Sequence, residues 1–413
     1  MKILMVHQNM PGQNRELAPV LAATGEHQIC FLTQGTDMRL PGTNTITYKP
    51  FHTPSHDAFG LCKDWEKAAG VGMGAALAAR TLEKQGFKPD IILGYTGWGE
   101  LLFLKDVWPD VPIIGFFEYY YLTSGGLVGF DGERAANDQA GFFSLARNTV
   151  PNVSLGSVEL GHVPMRWQHD LFPKHFHDKM YVCHDGIRCD ILGPDPDVSV
   201  RLGRLEKPLT REDEVITYIA RNMERARGFH IMMRALPRIL EEHPKARVIM
   251  VGGNETSYGV ESKHPKGLRG EMEEELGNQV DWSRVYFVGR VPYPDLCKIV
   301  QLAHCHIYLT MPFVLSWSLL ESMAMGATIV TSDVAPVREA VTHGETGMLM
   351  GFFDHDALAA QVLDVLQRPD DYAHLGPNAR AHVVENYDFK TRCLPEHIAR
   401  MNSLLPATKQ IRL

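Results

Sequence analysis

The chain has 413 residues, 45% of them hydrophobic and 22% charged, with a formal net charge of −8. That length fits two or three domains, and the acidity excludes a general polyanion binder, because nucleic-acid affinity needs a basic field. No apolar run reaches the ~18–20 residues of a membrane span, and seven scattered cysteines make no disulfide framework.

From the start, "KILMVHQ" predicts a buried strand. The apolar run ends after Val6, too short for a signal-peptide core, so a cytoplasmic chain is expected. "GQNRELAPVLAATG" predicts a helix closing at Gly25, and "HQICFLTQ" a second strand. "DWEKAAGVGMGAALAARTLEKQG" predicts a long helix. Its "GVGMGA" has the glycine count of a dinucleotide loop but lies inside a helical pattern, so the glycines are read as close-packing positions. "PDIILGYTG" and "VPIIGFFEYYY" predict strands, "VSLGSVELGHVPMRWQHDLF" a strand running into a short helix, and "KMYVCHDGI" a strand into a turn. Short apolar runs alternating with helices predict βαβ units and a parallel sheet covered on both faces.

Residues 191–212 are rich in Pro, Gly and charge and predict a linker. Within it, "PDPD" is read as a rigid turn rather than a paired-Asp cation site. The alternation then restarts with "EVITYIA", "GFHIMMRALPRILEEHP", "ARVIMVGG", "RVYFVGR", "YPDLCKIVQLA", "CHIYLT", "SLLESMAMG", "TIVTS", "APVREAVTHG" and "TGMLM", followed by a helix from Asp356. A helix-like stretch over 391–413, crossing back to the first domain, closes the chain. The expected domains are 1–190, the linker 191–212, and 213–390. Cys297, His304, Cys305 and His306 are potential metal ligands, but neighbours along a strand point in opposite directions, and they are read as structural.

The chemistry collects in the second half. Arg221 and Arg227 follow a strand and precede a helix at Gly228, an arrangement suited to phosphate oxygens. A solvated charged loop, with Glu224 and Arg225 in it, is the alternative. Gly252-Gly253 ends the next strand, where backbone can approach a ligand, and Gly289-Arg290-Val291 repeats that shape. In "PFVLSWSLLESMAMG" a helix opens at Ser316, Trp317 and Ser318 and sets Glu321 among apolar residues. A buried carboxylate costs several kcal/mol without a partner, so Glu321 faces either solvent, by the accident of helical period, or a ligand. It lies on the same helix face as Trp317 and Ser318, where it can accept from a hydroxyl-bearing ligand.

"LSWSLLESMAMGATIVTS" resembles the second half of the Glu-x7-Glu signature of family 4 retaining glycosyltransferases, with Glu321 at the second glutamate. "APVREAV", with Glu339 near its end, is similar to the family's later turn. "ARNMERARG" resembles its "GRLxxEKG", with Arg221 at the arginine and Arg227 at the lysine after one inserted residue. The opening "MKILMVHQNMPGQ" resembles the first strand and glycine loop, with Gly12 in the loop, and "MYVCHDGIRCD" the segment before the inter-domain linker. One departure stands out: Phe313 occupies the position of the first glutamate, and Val314-Leu315-Ser316 that of a Gly-Phe-Gly. A subfamily with its own sugar pocket is the favoured reading.

The resemblance implies an α/β GT-B architecture, two Rossmann-like domains facing each other across a cleft. It further implies transfer of a sugar from a nucleoside-diphosphate sugar to an acceptor, with retention and without a metal or other cofactor. Arg221, Arg227 and the amides at Ser316, Trp317 and Ser318 would hold the diphosphate, Glu321 the ribose, Arg290 and Val291 the base, with Gly253 and Gly12 allowing close backbone approach. Glu118, after "GFF", is a candidate to orient acceptor or sugar, against a solvent-exposed strand end as the alternative; Trp98 and Trp167 are candidates for the acceptor side, against core packing, the commoner place of large aromatics. The acceptor is open: a saccharide, a lipid-linked glycan, a protein or a small molecule, with peripheral attachment at the inner membrane face allowed but no clear patch for it. No nucleic acid and no integral span are expected. The rivals are a nucleotide-sugar epimerase, a phosphorylase (for which no lysine is suitably placed), and a non-catalytic sugar-nucleotide sensor, motivated by Phe313.

Overall fold

The computed structural model describes residues 1–35, 40–131, 139–203, 205–259 and 261–412. They form two units, Met1–Gly186 with Phe389–Leu413, and Ile187–Asp388.

The first unit is built on seven parallel strands: β1 (Lys2–Val6), β2 (Gln28–Thr33), β3 (Thr43–Thr47), β4 (Ile91–Tyr95), β5 (Ile113–Phe116), β6 (Leu160–Val163) and β7 (Met180–Val182). Their order is β3-β2-β1-β4-β5-β6-β7. β4 and β5 are buried along their whole length, as a sheet covered on both faces requires. The order reverses between β1 and β4, the switch point beyond whose carboxyl ends ligands bind in such sheets. The helix Gly60–Lys84 packs as its glycines require. A Cβ at Gly70, Gly72 or Gly74 would come within 2.2, 2.5 and 2.1 Å of the carbonyl oxygens of His52, Gly99 and Lys49. Phe389–Leu413 belongs to this unit: Phe389, Cys393, Met401 and Ile411 share a core cluster with Ile3, Met5, Ile91 and Ile114.

Two readings need correction here. β3 was not expected, because a half-exposed edge strand made of Thr, Asn and one Ile has no apolar run to mark it. "VSLGSV" is not strand but the end of the helix Thr149–Ser157; a short apolar run has no period of its own to separate the two.

The second unit begins with a two-stranded antiparallel ribbon, β8 (Ser199–Val200) and β9 (Leu209–Thr210). Residues 191–212 are thus part of this unit rather than a separate linker. Six parallel strands follow: β10 (Val215–Asn222), β11 (Arg247–Gly253), β12 (Val285–Gly289), β13 (Cys305–Tyr308), β14 (Ile329–Ser332) and β15 (Met348–Met350). Their order, β12-β11-β10-β13-β14-β15, again reverses beside its first strand, between β10 and β13. The helix Phe229–Glu242 lays Phe229, Ile231, Met232, Met233, Leu236 and Ile239 into the core, each contributing roughly 1.5–3 kcal/mol of burial. Phe229 meets Tyr218 of β10 at 6.1 Å between ring centroids, which anchors the helix start to the strand that carries Arg221 near its end, with Arg227 in the turn between them.

Candidate functional site

Arg221 stands at the exposed carboxyl end of β10. It has no hydrogen bond or ion pair to another side chain among the described residues, so its charge is available to a ligand. The chain then makes a short 3-10 turn, Arg225–Arg227, and enters the long helix through Gly228. Gly228 has φ +67, and a Cβ there would sit 2.5 Å from Leu309 Cβ, so only glycine closes this turn against the end of β13. The turn holds Arg227 half-buried. Its Nη1 donates to Thr310 Oγ1 at 2.8 Å, its guanidinium lies 5.6 Å from the Tyr258 ring centre, and its carbonyl accepts from Tyr218 Oη at 2.6 Å. None of these three contacts neutralises the cation. Both arginines therefore belong to the switch point of the second sheet, where β10 and β13 end.

Glu224, between them, is buried, against the solvated charged loop that stood as the alternative for this stretch. Its Oε2 accepts the amides of Ser257 and Tyr258 at 2.6 and 2.9 Å, fixing the loop after β11. Oε1 is buried without a hydrogen-bond partner among the described residues. Burial pushes the Glu224 pKa up, while those amides and the charges of Arg227 and Arg221 pull against it. The loop it pins carries Tyr258, whose ring packs on Phe313 at 4.9 Å between centroids. Phe313 is itself buried, so aromatic surface stands where the resembled signature has a carboxylate.

The helix Trp317–Ala324 opens with Ser316 as its cap, and the Ser316 side chain accepts from the Ser318 amide at 3.3 Å. That amide is occupied within the chain, because a serine at this position competes for the donor a phosphate would take. Glu321 is buried, and its Oε1 accepts from Tyr293 Oη at 2.8 Å. Tyr293 is a site residue that the reading missed. It opens a separate helix, Tyr293–Leu302, and nothing in the sequence pairs it with Glu321. Arg290 is exposed, with Nη2 2.6 Å from Glu255 Oε2 and 2.9 Å from Asn222 Oδ1; Val291 follows it, partly exposed. Gly253 has a local explanation: a Cβ there would fall 2.2 to 2.7 Å from Glu255 Oε2, Asn222 Oδ1 and Arg290 Nη2. It makes room for that polar cluster.

In the first unit, the carboxyl ends of β1 and β4 carry His7, Tyr95, Trp98 and Glu100. Gly12 has φ +55, and a Cβ there would lie 2.4 Å from the His7 ring, so this glycine seats the histidine. His7 accepts the Asn9 amide at 2.9 Å on Nδ1, and burial pushes its pKa down to about 4. Trp98 leans on Tyr95 at 4.4 Å between ring centroids. Tyr95 Oη donates to Glu118 Oε2 at 2.6 Å, and the Gln168 side-chain amide donates to the Glu118 carbonyl. Glu118 is therefore built into the sheet end rather than loose in solvent. Trp167 packs at 6.0 Å from Tyr119. Glu100, which sequence reasoning passed over, is fully buried; one oxygen accepts the Gln8 amide at 3.2 Å, and burial pushes its pKa up to about 8.

The remaining candidates are structural. His306 is buried against Thr217 at 2.8 Å, and Asp195 accepts the Asp197 amide at 3.0 Å, as a turn does. No helix of the described residues is long and apolar enough to cross a membrane.

Comparison with known proteins fits this geometry. Residues 25–192 match the family model of the glycosyl transferase family 4 group, and residues 204–382 that of the glycosyl transferases group 1. A sucrose-phosphate synthase structure from Thermosynechococcus elongatus superposes with a TM-score of 0.73, at 17% identity, covering 97% of this chain and 98% of its own. The chain has the GT-B fold. Its sheets and switch points are those of two Rossmann-like domains, each matched by its own glycosyltransferase model. The Anabaena HepE structure in complex with UDP and glucose gives a TM-score of 0.69 at 16% identity, covering 98% of this chain and 100% of that one. Among curated proteins, a phosphatidyl-myo-inositol mannosyltransferase of Mycolicibacterium smegmatis is 27% identical over 43% of this chain and 42% of its own length. A glycogen synthase of Mycobacterium tuberculosis is 26% identical over 45% and 41%. The chain thus spans about two fifths of the length of these curated relatives.

Proposed function

We propose that this protein is a retaining glycosyltransferase that moves a sugar from a nucleoside-diphosphate sugar to an acceptor, in glycan or glycoconjugate biosynthesis. The observation that carries the reading is the arginine pair at the switch point of the second domain, within the stretch matching the group 1 glycosyltransferases. Arg227 is held in place by neutral partners, and Arg221 faces outward from the strand end.

Breaking the glycosidic bond leaves negative charge on a diphosphate, and fixed cations beside it lower the barrier because they need no reorganisation. That charge would fall to Arg221 and Arg227, aided by the positive end of the Trp317–Ala324 helix rather than by the Ser316 and Ser318 amides, which Tyr308 Oη and Ser316 Oγ already take, with no resident metal or cofactor there. Glu321, already bonded to Tyr293, would accept from a ribose hydroxyl; Arg290, Val291 and Gly253 would border the base. Glu118, oriented by Tyr95, would position the acceptor or the reacting sugar. HepE was solved with UDP and glucose, which makes a uridine nucleotide the first donor to try. Seven free cysteines suit a reducing cytoplasm.

A thermal-shift panel of nucleoside diphosphates and their sugars tests donor binding, since a ligand of the folded state raises the melting temperature. Arg227→Ala should lower turnover about 100-fold or more, the loss of roughly 3 kcal/mol expected for one such donor. Unchanged turnover in that variant removes the phosphate role. A second reading, a non-catalytic sugar-nucleotide binder, is favoured by buried Phe313; nucleotide binding without transfer to any acceptor supports it. Donor isomerisation without an acceptor would instead mark an epimerase.

A further inference from the structure

The segment between β6 and β7 brings together three ligating side chains that glycosyl transfer leaves unused. His169 and Asp170 lie at the end of the short helix Arg166–Leu171, and His177 comes back to them from the 3-10 stretch Lys174–Lys179. One ligating atom from each of the three lies within 4.8 Å of the other two, the one such His/Cys/Asp/Glu group found among the described residues. The imidazole rings of His169 and His177 are 4.1 Å apart between centroids.

The hydrogen bonds orient these groups. His177 Nε2 is 2.8 Å from the Phe172 carbonyl oxygen, which can only accept; the proton therefore sits on Nε2 and Nδ1 keeps its lone pair. Metal-binding histidines are held in this way, one nitrogen on a carbonyl and the other on the ion. His169 Nδ1 lies 2.8 Å from Asp170 Oδ1. The His169 side chain is 8% exposed and the Asp170 side chain 59%, so one ligand is fixed and another is free to move.

The geometry points to a divalent transition-metal site of zinc type formed by His169, Asp170 and His177, with a further position open to water. Two imidazoles with one carboxylate are donors that zinc accepts, whereas magnesium and calcium prefer oxygen alone. Ligands on a tetrahedral zinc ion, at bonds of about 2.0–2.1 Å, stand about 3.4 Å apart. The triad must therefore close modestly, and Asp170 and half-buried His177 can do so. The ion would staple the helix Arg166–Leu171 to the stretch before β7. That helix carries Gln168, whose amide holds the Glu118 carbonyl, so the staple would stiffen the support of Glu118. The role is structural and does not depend on the transfer reading.

The test uses the full chain, free of metal and of any polyhistidine tag. Calorimetric titration should give one zinc equivalent and no magnesium binding. Cobalt(II) should develop visible d–d bands without the near-ultraviolet band of a thiolate ligand, which excludes the cysteines. His177→Gln and Asp170→Asn should each weaken zinc binding about tenfold or more; Asp170 is exposed, so its variant leaves the fold intact. No saturable zinc binding, a thiolate band, or unchanged affinity in both variants would overturn the site.

Discussion

Glu100 concentrates the residue-scale physics of the first domain. Its carboxyl group is fully buried, and although backbone amides, Gln8's among them, favour the charged form, burial outweighs them and holds the proton on up to about pH 8 instead of the usual 4.5. Below pH 4.5 folded and unfolded chains are both protonated, and the site costs nothing. As pH rises from there the unfolded chain releases the proton and the folded one keeps it, so stability falls by up to about 1.4 kcal/mol per pH unit until about pH 8, then levels off. Glu100→Gln keeps the acceptor for the Gln8 amide and removes the titration. It should match the parent chain near pH 4 and exceed it by up to several kcal/mol at pH 8, as read by denaturant unfolding at both values. Parallel pH profiles would show that the carboxyl is not protonated in the fold. Glu321 and Glu224 complete the comparison. Glu321 announces itself by the apolar residues around it. Glu224, among arginines and an asparagine, reads as solvated, and only the returning loop with Ser257 and Tyr258 buries it.

At the scale of elements, the helix Gly60–Lys84 separates local preference from tertiary demand. Glycine inside a helix costs about 1 kcal/mol against alanine, so Gly74→Ala would stabilise an isolated helix. Here the added Cβ would lie 2.1 Å from the Lys49 carbonyl oxygen, a backbone atom that can move only with its whole segment. Gly74→Ala should therefore lower the melting temperature of the protein, with a net loss of about 1–3 kcal/mol; an unchanged or higher melting temperature would mean that the segment at Lys49 yields freely. The elements legible in the sequence were those with long apolar runs or strong period, such as β1, β10 and the helix Phe229–Glu242. β3 was hidden because an edge strand needs little apolar surface, and the helix Gly267–Leu276 because seven of its ten residues are Gly, Arg or Glu and its apolar stripe is only Leu268, Met272 and Leu276.

For the molecule as a whole, the last stretch of chain completes the first domain's core. Phe389, Cys393, Leu394, Met401, Leu405 and Ile411 are buried in one cluster with β1 and β4 side chains. At about 1.5–3 kcal/mol for each large apolar side chain, their burial is worth on the order of 10 kcal/mol, comparable with the net stability of a domain. A chain ending at Asp388 should lose the cooperative unfolding of the first domain while residues 187–388 keep theirs; calorimetry showing both transitions intact would refute this. The sequence by itself determined the α/β class, the two-domain plan, the switch-point arginines and the buried setting of Glu321, because strand period, helix entry and charge beside glycine are local patterns. Tertiary structure alone decided that Tyr293 bonds Glu321, that Glu224 is buried, that Gly12 seats His7, and that His177 returns to His169. Each is a meeting of side chains brought together by the packing of separate segments, and no spacing along the chain encodes it.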